Sequence, residues 1–298
     1  MKRAASAWGL ALVFRLTVCN GAARGDGFEE MARGMGVELP KTPWHLMDVH
    51  QDFTAEVTDF ARAEIELEIS EEVGAAYNLY IAAMNGHING QMFYIGVQTH
   101  SVGQRADGSY VQIGEGGIFS RWSADMLTPL DKTHVDMPED GLWASEQYEG
   151  AFCGVRRPFL WTCGKYTFTL VKEEREMRSG VAHRWVAFEI TDHAARRTHR
   201  IGRLLFEGDS LALGAKFGSF VEIYGELREI PKLNVAFGSL IVDGTPVPVN
   251  RIYAWCPPGS VNVARASFEG RSTLVEIAPE NLIAPPEIPL SFVLNIAD

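Results

Sequence analysis

The sequence is poor in the signatures that mark covalent, phosphate or metal chemistry. It has four cysteines, no CxxC pair and no His/Cys cluster at zinc spacing, which argues against a metal-held fold. No Gly-x-Ser-x-Gly elbow occurs, and no Cys/His signature surrounds Cys153, Cys163 or Cys256, so nucleophilic hydrolysis has no support. Gly114-Glu115-Gly116-Gly117 lies between candidate strands instead of ahead of a helix, so it does not form a phosphate cradle. Internal repeats are missing. Helical periodicity is nearly missing too: only Phe28 to Met35, before Gly36, has the pattern for a turn or two. Cations are short, 27 Lys+Arg against 38 Asp+Glu for a net charge of −11. Such a surface repels nucleic acid and anionic lipid, because phosphate binding needs clustered cations.

The N-terminus reads as a removable signal peptide over residues 1–23. Lys2 and Arg3 give a positive start, Ala7 to Phe14 an apolar stretch, and Gly21, Ala22 and Ala23 a small-residue cleavage region. The apolar stretch falls short of the roughly 20 residues of a membrane span. Leu16 to Cys19 resembles a lipoprotein acylation box, with Val18 where a small residue is expected. Export implies an oxidising compartment. Cys153 and Cys163 flank Arg157-Pro158 at a spacing that suits two adjacent strands and a bridge; the other reading is buried free thiols.

What the sequence does contain is a period of two. Glu64, Glu66 and Glu68 alternate with Ile65, Leu67 and Ile69, which puts acids on one face of a strand and aliphatics on the other. Tyr166, Phe168 and Leu170 alternate in the same way with Thr167, Thr169 and Val171. Similar segments recur along the chain with Gly, Asn and Asp between them. Many short strands without intervening helices predict an all-β, antiparallel β-sandwich, a lectin-like or concanavalin-like jelly roll. The expected organisation is an N-terminal arm over residues 24–47, the sandwich over 48–231, and a C-terminal β extension or small β-unit over 232–298.

The stretches Phe93-Tyr94-Ile95-Gly96-Val97-Gln98-Thr99, Gly117-Ile118-Phe119-Ser120-Arg121-Trp122, Trp161-Thr162-Cys163-Gly164-Lys165-Tyr166 and Phe217-Gly218-Ser219-Phe220 resemble a secreted β-sandwich family catalogued only as a domain of unknown function. The resemblance covers residues 75–230. It implies the sandwich and carries no activity.

Candidate site residues follow from strand alternation. From Phe93 to His100 one face shows Phe93, Ile95, Val97 and Thr99, the core set, and the other shows Tyr94, Gly96, Gln98 and His100. An aromatic plate in line with an amide and an imidazole suits carbohydrate, which asks for flat stacking and fork-like hydrogen bonds. Arg121 and Trp122 are expected to add a cation and a second plate. The plainer reading is that Tyr94 and Trp122 cover the sheet. A polysaccharide is the expected partner in the first reading. Gln98-Thr99-His100 also resembles the Gln-x-His strand of jelly-roll polysaccharide lyases, whose arginine-rich strand motif is missing here. That resemblance implies catalytic roles for Gln98, His100 and Tyr166.

A glycoside hydrolase needs two carboxylates across a cleft. Glu115, Glu149, Glu189 and Glu222 are available, with no Glu-x-Asp-x-x-Glu strand. The loop from Asp131 to Asp140, with Asp136 and Glu139, offers oxygen ligands to calcium without a defined ligand spacing. Arg196, Arg197, Arg200 and Arg203 form one basic cluster at an expected hairpin, open to an anionic glycan or to pairing with neighbouring acids.

Overall fold

The structure, a computed structural model, describes residues 27–145, 150–226, 228–257, 261–282 and 291–295. The readings placed on residues 1–23, including Cys19, lie outside the described residues, as does Glu149.

One short helix, α1 (Phe28–Gly34), precedes the strands. In chain order these are β1 (Trp44–Phe53), β2 (Arg62–Ile69), β3 (Leu79–Ile88), β4 (Gln91–Gln98), β5 (Ser101–Gln104), β6 (Tyr110–Ile113) and β7 (Gly116–Trp122). There follow β8 (Val135–Asp136), β9 (Leu142–Ala144), β10 (Phe152–Pro158), β11 (Gly164–Arg178), β12 (Val181–Asp192), β13 (Arg197–Glu207) and β14 (Lys216–Ile223). The last group is β15 (Leu233–Phe237), β16 (Ile241–Val242), β17 (Thr245–Pro246), β18 (Val249–Trp255), β19 (Ala264–Glu269), β20 (Ser272–Ile277) and β21 (Ser291–Asn295).

These strands form two large antiparallel sheets packed face to face, a β-sandwich. Sheet one runs β21-β18-β1-β14-β3-β4-β7-β10-β9-β5-β6, and sheet two β19-β20-β15-β2-β11-β12-β13-β8 with β16 and β17 attached beside β2. The expected alternation holds where it was sharpest: in β2, Ile65, Leu67 and Ile69 are buried, while in β11 Tyr166, Phe168 and Leu170 are. These side chains meet Phe93, Ile95 and Val97 of sheet one in a single core between the sheets.

Several features were not visible in the sequence. β1 begins at Trp44, inside the stretch read as an arm, and lies between β14 and β18 in sheet one. Strands after residue 231 enter both sheets: β15 pairs with β2, and β18 with β1. Cys153 is a buried free thiol, so the bridge to Cys163 is not made. The reason is topological: β10, which holds Cys153, crosses to β7 in sheet one, while Gly164 opens β11 in sheet two.

Candidate functional site

The outer face of sheet one, turned away from the core, carries a cleft of about 660 Å³. Alternation builds its floor. In β4, Phe93, Ile95 and Val97 point inward, which turns Tyr94 and Gln98 outward. In β3 Tyr80 and Ala82, in β14 Phe220, and in β7 Ile118 leave the main core and form a second small hydrophobic cluster with Tyr94 and Tyr224. Every residue of β7 is buried, so the centre of sheet one is covered on both faces, with the cleft set into the outer cover. The aromatic rings run across strands: Tyr80 meets Phe220 edge-on at 5.2 Å, Tyr94 lies 4.8 Å from Trp122, and Trp122 lies 5.4 Å from Phe152.

Polar groups rim and punctuate this floor. His45 of β1 reaches Asp48 at 2.6 Å through Nδ1 and Glu222 at 2.9 Å through Nε2. Burial alone would lower the imidazole pKa, but the hydrogen bonds and charges of Asp48 and Glu222 outweigh it and raise it to about 10. His45 therefore sits as an imidazolium between two carboxylates. Tyr80 is held well above the usual phenol range by burial, with Tyr94 and Glu222 adding and Arg156 opposing. Its hydroxyl is a neutral donor. Arg156 of β10 completes the set, packed against the Phe152 ring.

Four of the residues expected from sequence line the cleft together: Tyr94, Gln98, His100 and Trp122. Tyr94 and Gln98 are half-buried. The His100 ring is tied by Nε2 to the Ala75 carbonyl at 2.9 Å, and Tyr224 Oη accepts from the His100 backbone N–H and donates to its carbonyl. Trp122 is 1% exposed, more a wall than an open plate.

Two expected residues lie elsewhere. Arg121 cannot join Trp122 because neighbours on a strand face opposite ways. It points between the sheets, stacks over Phe206 of β13 and donates to Gln91 Oε1 at 2.8 Å. Tyr166 belongs to β11 of sheet two, where its hydroxyl donates to the Thr162 carbonyl at 3.0 Å inside the core. The trio Gln98, His100 and Tyr166 is therefore not assembled in the cleft.

The other candidates resolve by their partners. Of the acids weighed for hydrolysis, Glu222 lines the cleft, while Glu189 stands on sheet two, 4.0 Å from Arg200. In the loop from Asp131 to Asp140, Asp131 caps a short 3-10 turn through the Thr133 N–H, Asp136 pairs with Arg203 and Asp140 with Arg157. These carboxylates point to separate partners, and no cluster able to hold a metal occurs among the described residues. Arg200 and Arg203 are tied to Glu173, Arg200 at 2.5 Å, and Arg203 also meets Glu174. Two of the four arginines of the basic cluster, Arg200 and Arg203, are thus paired with acids, while Arg196 and Arg197 are exposed at the hairpin.

Sequence reasoning missed Arg156, Tyr80, Phe220, Glu222 as a cleft residue, and His45. A signal existed in β10, where Phe152, Gly154 and Arg156 alternate as ring, gap and cation. No helix among the described residues is long and apolar enough to cross a membrane. Compared with known proteins, the chain matches no family model and no curated sequence.

Proposed function

We propose that the protein is a secreted carbohydrate-binding β-sandwich that holds a segment of polysaccharide in the cleft on sheet one. The observation that carries this reading is the floor itself: adjoining rings from five strands, with hydrogen-bonding groups set between them, on the one face of the sheet that the core does not use. Rings supply flat apolar contact to sugar faces, and Gln98 and Arg156 supply directional partners for hydroxyls. An acidic surface is compatible with this role, since neutral hydroxyls are not repelled.

The test is retention of the purified protein on a broad panel of immobilised polysaccharides. Retention on at least one polymer, released by soluble polymer of the same kind, is the expected result. Passage through every column sinks the reading.

The second reading is a polysaccharide-degrading enzyme. Its support is that the cleft brings Glu222, His45 and Tyr80 near one another, groups able to handle protons. The same panel decides: ultraviolet-absorbing unsaturated ends signal a lyase, new reducing ends a hydrolase, and unchanged polymer a binding protein.

A further inference from the structure

The cleft contains two polar atoms with nothing to bind. Arg156 is 8% exposed and Tyr80 2%, and both Arg156 Nη1 and Tyr80 Oη are buried without a hydrogen-bond partner. Both side chains line the cleft. The backbone is cleared to seat them: a Cβ at Gly154 would stand 2.5 Å from Arg156 Nη1, and one at Gly96 would stand 2.8 Å from Tyr80 Cε2. Glycines at both positions let a guanidinium and a phenol lie flat in the floor.

The next residue shows the contrast. Arg157 Nε lies 2.8 Å from Asp140, whereas Arg156 makes no ion pair among the described residues. A guanidinium stays charged in a protein, and holding it out of water without an anion is costly. Buried polar groups in native folds are nearly always paired, so two orphans in one cleft, close enough for the Arg156 charge to act on the Tyr80 hydroxyl, ask for an external partner. The Glu222 carboxylate, the acid of the cleft lining, is bound by His45 and does not pair with Arg156.

We propose that Arg156 and Tyr80 form a subsite for an oxyanion substituent of a sugar, a uronic-acid carboxylate or a sulfate ester. This rests on the carbohydrate reading and narrows its ligand. One oxyanion accepts from Arg156 Nη1 and Tyr80 Oη together and neutralises the buried cation. A neutral sugar leaves the charge uncompensated. Because the whole chain is acidic, with net charge −11, a preference for an anionic polymer has to come from a local site and not from the overall field.

The experiment compares matched polymers: a polygalacturonate with its carboxyl-reduced form, and a sulfated galactan with its desulfated form. The parent protein is expected to bind the charged member of one pair at least tenfold more tightly, and the pair that discriminates tells carboxylate from sulfate. Arg156→Gln and Tyr80→Phe should each erase most of that preference while the melting transition stays cooperative. If Arg156→Gln does not fold, Tyr80→Phe, which keeps the ring, reads the same subsite. Equal or tighter binding of the neutral member in both pairs overturns the oxyanion subsite and leaves carbohydrate binding standing. A preference that survives both substitutions overturns the assignment to these two residues. Binding to none of the four polymers overturns the subsite, and the broad panel then decides the wider reading separately.

Discussion

His45 donates from Nε2 to Glu222 Oε2 at 2.9 Å, joining β1 to its register partner in β14 at the edge of the cleft. Because the folded imidazole pKa is raised from 6.5 to about 10, the folded state binds a proton that the unfolded chain releases first. This stabilisation is fully present below about 6.5 and is lost as pH rises through about 10. Urea unfolding measured across that window should show stability falling with pH in the parent and a flatter profile in His45→Gln. Superimposable profiles would contradict the charged clamp.

Tyr94 and Trp122 differ in burial, so their truncations should separate binding from folding. Tyr94 is half-buried at the cleft surface, while Trp122 is 1% exposed between Tyr94 and Phe152. Trp122→Ala should cost about 3–5 kcal/mol, the range for removing a buried large ring. Tyr94→Ala should weaken polymer retention by about tenfold, the loss of roughly one stacked ring, with a much smaller drop in melting temperature. Calorimetry and affinity electrophoresis on both variants measure the two effects.

Gly96 is the tightest position under the cleft. A Cβ there would meet the Ile81 carbonyl oxygen at 2.1 Å and Ala82 Cα at 2.8 Å, as well as the Tyr80 ring. Backbone cannot yield as a side chain can, so Gly96→Ala should destabilise by about 1–3 kcal/mol or more. Denaturant titration checks the size, and loss of polymer retention at temperatures where the variant is folded would show that Tyr80 has been displaced.

Tyr166 provides the opposite control. Its hydroxyl is bound within the core to Thr162, on the sheet that does not hold the cleft. Tyr166→Phe should cost about 1–3 kcal/mol, because the hydroxyl both accepts from the Thr162 N–H and donates to the Thr162 carbonyl, and should leave retention, and any product formation, unchanged. Loss of function in this variant would bring back the lyase arrangement inferred from resemblance.

Sequence and structure agree where the information is local. The acids at 64, 66 and 68 and the aliphatics between them fix which face of β2 is buried, and the same logic turned Tyr94 and Gln98 to the face that bears the cleft. What stayed hidden is relational. Tyr80, Phe220, Glu222, His45 and Arg156 come from strands far apart in the chain, and only the pairing of β1 with β14, β14 with β3 and β7 with β10 makes them neighbours. Arg121 was misplaced by reading proximity in sequence as proximity in space, against the alternation that governs adjacent strand residues. Arg156 escaped notice because Arg157-Pro158 reads as lying between two adjacent strands, yet residues 156–158 end a strand whose outward positions are Phe152, Gly154 and Arg156.

The place of β1 in sheet one sets an order of events during synthesis. The strand is among the first made, but its two neighbours, β14 and β18, begin at Lys216 and Val249. Until those partners leave the ribosome, His45 has no Glu222 to hold, and the edge of the pocket does not exist. Long-range pairing of this kind is slow to close, so a nascent chain stopped before residue 216 should be unable to capture ligand even though most of the rings are already in it.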